Sequence, residues 1–150
     1  MPQKYVKKIL DARIYDLALE TPVDKAPLLS QRLKNQVLLK REDLQPVFSF
    51  KVRGAYNKLR HLSKEQLAAG VIAASAGNHA QGLALAAQKM GVSATIVMPK
   101  TTPNIKVDAV RGWGANVVLF GDNYDTAAGH AKQLLEERGL TYIHPFDDPD

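Results

Sequence analysis

The sequence contains no cysteine, which excludes a disulfide framework, a thiolate nucleophile and any cysteine-ligated metal. It also lacks a long apolar run, since residues 71–74 and 83–87 fall far short of the roughly twenty residues that cross a bilayer. The first eight residues are polar and basic, and no apolar segment follows them, so nothing there is typical of a secretory or transit signal. We therefore expect a cytoplasmic protein that does not contact a membrane.

The basic residues do not form blocks, although the formal net charge is +5. Lysine and arginine are mixed with acidic residues along the whole chain, whereas nucleic-acid-binding segments concentrate them. The nucleotide motifs G-x-G-x-x-G and G-x-x-x-x-G-K-[ST] are absent as well. The apolar content is typical of a soluble globular domain, and no binding to nucleic acid is expected.

From residue 71 onward a β-rich run, a helical run and a glycine recur, which is the pattern of parallel βαβ units. Gly91, Gly114 and Gly139 stand where the helices should end. The expected strands are residues 71–75, 94–98, 116–120 and 141–144, and the expected crossover helices are residues 78–90, 104–113 and 124–138. The sequence thus predicts an α/β fold with four parallel strands.

The first seventy residues follow a less regular pattern. Apolar residues at helical spacing predict an amphipathic helix that opens the chain across residues 6–17. Ser63 and Gln66 have the form of a capping box for a helix that follows residue 62. The remaining expected elements are an extended segment at 21–26, a short helix at 30–34, a strand at 37–41 and a helix at 50–61.

The run S-A-G-N-H-A-Q-G at residues 75–82 lies between an expected strand and an expected helix. Backbone N–H groups at a helix start have no partner within the helix, and the helix dipole favours negative charge there. Gly77 has no Cβ to block a close approach, while Ser75 and Asn78 add short polar side chains. This run predicts an anion site, although a tight turn with serine or asparagine as helix N-cap has the same pattern.

Lys51 stands in an apolar setting that is unusual for a lysine, with Phe48, Phe50 and Val52 around it. Desolvation favours the neutral amine, the form that condenses with an aldehyde and accepts a proton. A lysine that extends past a buried phenylalanine to reach water would look the same. Neither this lysine nor the anion site decides the function separately.

Taken together, two runs resemble the fold-type II pyridoxal-phosphate enzymes and, among them, the threonine ammonia-lyases (threonine dehydratases). They are F-S-F-K-V-R-G-A at residues 48–55 and S-A-G-N-H-A-Q-G at residues 75–82. The resemblance covers nearly the whole chain and includes K-R-E-D-L-Q-P at 40–46 and I-V-M-P at 96–99. I-K-V-D-A-V-R-G at 105–112 is similar to the biosynthetic threonine enzymes rather than to the catabolic form or serine racemase.

The resemblance implies a role for each residue of the two runs. Lys51 would be the catalytic lysine that holds pyridoxal 5'-phosphate as a Schiff base, and Asn78 would bind the phenolic oxygen of the cofactor. The substrate carboxylate would lie among Ser75, Gly77, Asn78 and His79, in agreement with the anion site. Phe50 would lie beside the cofactor, although packing in the core explains it equally well. No metal is implied.

Other charged and titratable residues near these runs are interpreted as structural. Arg53 and the charges at residues 40–43 are expected to form salt bridges. His61, His130 and His144 are expected to be surface or packing residues.

The implied reaction is the β-elimination of L-threonine, and possibly of L-serine, to give a 2-oxo acid and ammonia. Lys51 would remove the α-proton, the β-hydroxyl would leave, and threonine would yield 2-oxobutanoate, the first step of isoleucine biosynthesis. The intact enzyme is expected to be an allosteric homo-oligomer. The alternatives are a serine dehydratase or racemase, another β-elimination or β-replacement enzyme of the family, and a non-catalytic doubly wound module that binds a nucleotide or another protein through residues 75–82.

The resemblance also implies a division into domains. Residues 1–43 would be the first elements of the large domain, residues 44–145 the small α/β domain, and residues 146–150 the start of a connection back to the large domain. The family's glycine-rich phosphate loop and its partner for the pyridine nitrogen are not in the sequence. We therefore expect an N-terminal fragment that binds the cofactor poorly by itself and has no measurable deaminase activity.

Overall fold

The computed structural model describes residues 2–149 and the side chains from residue 5 onward. Seven α-helices and six strands occur in that part of the chain, together with short 3₁₀ turns at Ile14–Asp16 and Glu42–Leu44. The helices are α1 (Pro2–Asp11), α2 (Pro27–Leu33), α3 (Lys51–His61), α4 (Lys64–Ala69), α5 (Asn78–Met90), α6 (Asn104–Gly112) and α7 (Tyr124–Arg138). The strands are β1 (Val23–Lys25), β2 (Leu38–Lys40), β3 (Val71–Ala74), β4 (Ala94–Met98), β5 (Asn116–Leu119) and β6 (Thr141–Tyr142).

Four parallel strands form the main sheet in the order β5-β4-β3-β6, which confirms the predicted fold class. Every residue of β3 and β4 is buried, as expected for central parallel strands that are covered on both faces. Their β-branched and alanine side chains allow helices to pack closely on the sheet. The predicted bounds of α5, β4 and α7 match residue for residue.

The two faces of the sheet are covered by different helices. Helices α5 and α6 share a core with Val71, Ala73 and Ile96, whereas α7 packs on the opposite face against Ile72 and Val97. Right-handed crossovers place a helix on one face when the chain moves one way along the sheet and on the other face when it moves back. From β3 to β5 the chain adds strands on one side of β3, whereas β6 is added on the other side. The topological switch point of the sheet therefore lies between β3 and β6.

A second, smaller sheet precedes the main one. Strands β1 and β2 pair antiparallel, with Val23 opposite Lys40, and helix α2 connects them. The side chains of β2 are exposed throughout, and Leu28 and Leu33 of α2 are exposed as well. This region therefore adds little to the core.

Several predicted bounds are wrong at the edges of elements. Helix α1 ends at Asp11 rather than at residue 17, because the chain turns so that Leu17 and Ala18 pack inward. Helix α2 begins three residues earlier than predicted, with Pro27 in the first turn, where its missing N–H costs nothing. Strands β3 and β5 and helix α6 each end one residue early.

Strand β6 is the shortest strand of the main sheet, and it ends two residues before the predicted position. The N–H of Ile143 still donates to the carbonyl of Ile72 at 2.9 Å. Pairing stops there because His144 closes a turn, accepting from the N–H of Asp147 at 2.9 Å, and Pro145 has no N–H to donate.

Candidate active site

A cleft of about 210 Å³ opens at the switch point, outside the carboxyl ends of β3 and β6. Ligands of open α/β sheets bind in such crevices, because the loops that leave neighbouring strands diverge there. Its wall consists of the start of α3, the side chain of His79 and the chain that leaves β6. The lining residues are Phe50, Lys51, Gly54, Ala55, Lys58, His79, Ile143, His144, Pro145, Phe146 and Asp148.

A larger, mostly apolar groove of about 790 Å³ lies between α1 and α3. It is lined by residues such as Tyr5, Ile9 and Ile14, and it shares Gly54 with the smaller cleft. The described residues contain no group of three or more histidine, aspartate or glutamate side chains that could hold a metal ion. No helix in the described part of the chain is long and apolar enough to span a bilayer. The smaller cleft contains Lys51 and His79, and it is the candidate active site.

Lys51 is the first residue of α3 and projects its half-buried side chain into the cleft. The buried Ser49 hydroxyl accepts from the backbone N–H of Lys51 at 3.3 Å, which helps to fix the helix start. The Lys51 Nζ donates to the carbonyl oxygen of Pro145 at 2.5 Å and lies 5.5 Å from the centre of the Phe50 ring. The amine is thus held at the cleft by one carbonyl and one aromatic face.

The anion site predicted at residues 75–82 forms a turn from the end of β3 into α5. Gly77 is the N-cap, and the Ser75 hydroxyl accepts from the N–H of Gly77 at 3.3 Å. No side chain caps α5, so the alternative of serine or asparagine as its N-cap is wrong. Asn78 is exposed in the first turn, and a Cβ on Gly77 would meet no atom within 4 Å. The Cα of Gly77 therefore faces open space at the start of α5, where the first N–H groups have no partner within the helix.

Gly82 fixes the distance between this turn and the lysine. A Cβ at Gly82 would lie 2.9 Å from the carbonyl carbon of Lys51 and 3.0 Å from the nitrogen of Val52. Real Cβ atoms do not approach backbone so closely, so only glycine allows α5 to pack directly on the first turn of α3. This contact brings two motifs that are far apart in sequence to the same cleft.

His79 is buried, with 6% of its surface exposed, and its Nε2 lies 3.0 Å from the carbonyl oxygen of Ile143. Burial lowers the pKa of the His79 imidazole, and the positive charge of Lys51 lowers it further. A neutral imidazole that faces a carbonyl must donate from Nε2. The Nε2–H of His79 is therefore engaged with the protein, and the backbone N–H of His79 is the donor left to face a ligand.

The structure brings some of the predicted site residues together and not others. Lys51, Phe50 and His79 line one cleft, whereas Ser75, Gly77 and Asn78 lie in the adjoining turn and are not part of its wall. Phe50 is 58% exposed, which rules out the alternative that it packs in the core.

Sequence reasoning missed the run 143–145, which supplies the carbonyls that accept from His79 and Lys51. His144 packs against the rings of Tyr142 and Phe146, as predicted for a packing residue, and it also lines the cleft. The switch-point rule could have located this run, because ligands bind where the strand order reverses. The rule requires the strand order, which the alternation of strands and helices in the sequence does not give.

Arg53, Arg41, Glu42 and Asp43 form salt bridges, as predicted, whereas Lys40 donates to the backbone carbonyl of Thr21. Arg53 binds Glu42 through two nitrogens, at 2.7 and 2.8 Å, and Glu42 also accepts from the Thr21 hydroxyl at 2.6 Å. These bonds, with the Arg53 guanidinium first, lower the pKa of Glu42 to about 2. Arg41 pairs with Asp24 and Asp43 on the same side of the molecule. The cluster joins the β1–β2 region to α3.

Residues 14–150 match the family model described as pyridoxal-phosphate dependent enzyme. The chain is 61% identical over 148 residues to the biosynthetic L-threonine dehydratase of Burkholderia multivorans, covering 97% of this chain and 29% of that enzyme. It superposes on the processed form of threonine deaminase isoform 2 from Solanum lycopersicum with a TM-score of 0.92 and 56% identity, covering 97% of this chain and 43% of that one. For maize serine racemase the values are 0.90 and 32%, with coverage of 95% and 44%.

The chain thus spans less than a third of the length of the Burkholderia enzyme, and the match includes every residue that surrounds the cleft. With a parallel-sheet fold, a lysine at the switch point and a family match over most of its length, the chain belongs to the pyridoxal-phosphate-dependent enzymes.

Proposed function

We propose that this chain supplies the lysine-bearing side of the active site of a biosynthetic threonine dehydratase, which converts L-threonine to 2-oxobutanoate and ammonia. The observation that carries the proposal is the amine of Lys51 at the switch-point cleft, beside the turn that starts α5. The identity of 61% to an enzyme named for threonine supports the substrate. The reaction would be the first step of isoleucine biosynthesis.

The residues present fit pyridoxal phosphate. The cleft offers a primary amine, an exposed aromatic ring at Phe50 and, at Gly77, open space in front of a helix start. An amine condenses with the cofactor aldehyde, and free N–H groups at a helix start bind anionic oxygens. Lys51 would hold the cofactor covalently, and Asn78 would bind its phenolic oxygen. When bound, the cofactor supplies an electron sink that stabilises negative charge on the α-carbon of the substrate.

The remaining steps are assigned to side chains and N–H groups of this chain. The turn at 75–79 would bind the substrate carboxylate through its N–H groups and the Ser75 hydroxyl, and the dipole of α5 would favour that charge. Lys51 Nζ would accept the proton from the α-carbon of the substrate. His79 would contribute its backbone N–H, because its imidazole is bound to Ile143.

A hybrid enzyme tests this proposal. Residues 1–150 would replace the matching segment of the Burkholderia dehydratase, and 2-oxobutanoate would be measured with L-threonine as substrate. The hybrid is expected to be active, and Lys51→Ala should lower kcat by at least about 10³-fold, since removal of a catalytic nucleophile or base costs this much or more. Lys89→Ala, which removes an exposed lysine at the other end of α5, is the matched control. Retained activity in Lys51→Ala would overturn the assignment.

Serine racemase or serine dehydratase activity is the second candidate, because the fold matches maize serine racemase with a TM-score of 0.90. The lower identity of 32% makes this reading the weaker one. Comparing kcat/KM of the hybrid for L-threonine, L-serine and O-acetylserine separates the two and also tests β-replacement. A preference for L-serine, or formation of D-serine, would favour the second candidate.

The division of the chain into domains is part of the proposal. We assign residues 1–43 to the large domain, residues 44–145 to the small domain, and residues 146–150 to the connection between them. Exposed leucines on α2 and β2 support this assignment, because an apolar surface of this kind is normally covered. A cytoplasmic location, a homo-oligomeric state and allosteric control stay predictions.

A further inference from the structure

The chain that leaves β6 receives two hydrogen bonds from opposite sides of the cleft. His79, in the first turn of α5, lies 3.0 Å from the Ile143 carbonyl, and Lys51, in the first turn of α3, donates to the Pro145 carbonyl two residues later. These contacts span 64 and 94 residues of sequence. A run of three residues thus connects the two helix starts that border the cleft.

The three elements around the cleft are held in different ways. Helices α3 and α5 pack directly on each other at Gly82, where no side chain separates their backbones. The run 143–145 has left the sheet, since its last ladder bond is the one from the Ile143 N–H to Ile72. Within the run, His144 closes a turn to Asp147, and beyond the run the Lys58–Asp148 ion pair at 2.9 Å holds the chain that follows. The side chain of Ile143 is buried in the main core, and the imidazole of His79 is the side-chain group that binds the Ile143 carbonyl where the ladder stops.

We infer that His79 is a positioning residue, whose buried Nε2–H holds the Ile143 carbonyl and thereby places the Pro145 carbonyl that orients the amine of Lys51. The inference deepens the proposed function, because it rests on Lys51 as the cofactor lysine. It gives the imidazole a role distinct from that of the His79 backbone N–H. The amine keeps a defined direction in the cleft only while the run stays in place.

The tautomer of His79 tests the inference without any substitution. In the folded 150-residue chain labelled with ¹⁵N, the imidazole of His79 should carry its proton on Nε2 and show a slowly exchanging Nε2–H signal. A neutral imidazole that is protonated on Nδ1 would overturn the inference, because Nε2 could not then donate to the Ile143 carbonyl.

Two variants test the effect on Lys51. His79→Leu removes the donor at similar volume, whereas His79→Gln places an amide N–H near the position of Nε2. Each variant is made in the hybrid enzyme and treated with pyridoxal phosphate and borohydride, and the labelling of Lys51 is measured by peptide mass spectrometry relative to the exposed Lys89. The Lys51:Lys89 ratio should fall about tenfold in His79→Leu, as expected when one buried bond is lost, and should return to within about twofold of wild type in His79→Gln.

Amide hydrogen exchange of the same chains separates positioning from general stability. His79→Leu should speed exchange at residues 143–147 and leave β3 and β4 unchanged, whereas a uniform increase would overturn the inference. An unchanged labelling ratio in His79→Leu, or no rescue by His79→Gln, would overturn it as well. A wild-type ratio near one would instead count against Lys51 as the cofactor lysine, and the exchange result would still decide the role of His79.

Discussion

The main sheet and the β1–β2 region are built from similar residues but differ in how completely they are covered. Ile72 and Ile96 in the main sheet are fully buried, whereas Leu28 in α2 is 82% exposed and Leu38 in β2 is 50% exposed. The main sheet is covered on both faces by helices of the same chain. Apolar residues therefore form a core only where helices of the same chain cover them. In the β1–β2 region they form an exposed apolar surface, which is the kind of surface that further protein normally covers.

Truncation of a core residue should show the difference most strongly. Ile96→Ala should lower the free energy of unfolding by about 2–5 kcal/mol, because it removes buried methyl groups and leaves a cavity in the main core. Leu28→Ala should change it by less than about 0.5 kcal/mol, as is usual for exposed positions. Urea unfolding followed by circular dichroism measures both, and equal losses would contradict the comparison.

A matched pair of glycine substitutions tests the packing that brings the two motifs together. Gly82→Ala should lower the free energy of unfolding by about 1–3 kcal/mol, because the new methyl group meets the backbone of Lys51 at 2.9 Å. Gly129→Ala, at an exposed site in α7 with no atom within 4 Å, should raise it by about 0.5–1 kcal/mol. Both gain the same helix propensity, so an equal stabilisation would contradict the close contact.

The salt-bridge cluster joins the two regions, and its effect should depend on pH. The pKa of Glu42 is lowered to about 2, so its contribution is complete above the ordinary value of 4.5 and is lost as the pH falls toward 2. Glu42→Gln should cost about 1–2 kcal/mol at pH 7 and flatten the pH dependence of stability over that interval. Glu136→Gln, at an exposed site in α7, is the control. An unchanged acid profile in Glu42→Gln would contradict the role of this cluster.

Much of the fold could be predicted because local signals agree with tertiary packing. Gly91 and Gly139 adopt positive φ at the ends of α5 and α7, as predicted, and Ser63 and Gln66 form the expected capping box. The N-terminal elements were less predictable. The end of α1 depends on Leu17 and Ala18 packing against residues that lie far along the chain.

The candidate site could be predicted only in part. Lys51 and the turn at 75–79 have recognisable sequence patterns, and the structure places them side by side. The Pro145 carbonyl has no such pattern, because any residue supplies a carbonyl and the contact depends on β6 pairing with β3. Strand order is a property of the whole sheet. For this reason the sequence does not predict that residues 143–145 line the cleft.

The location of the cofactor on the polypeptide tests the central claim most directly. The hybrid enzyme would be incubated with pyridoxal phosphate, reduced with borohydride, digested and analysed by mass spectrometry. We predict a single stoichiometric adduct on Lys51, and loss of the cofactor's visible absorbance in the Lys51→Ala hybrid. An adduct on another lysine, or a visible band that persists without Lys51, would contradict the account.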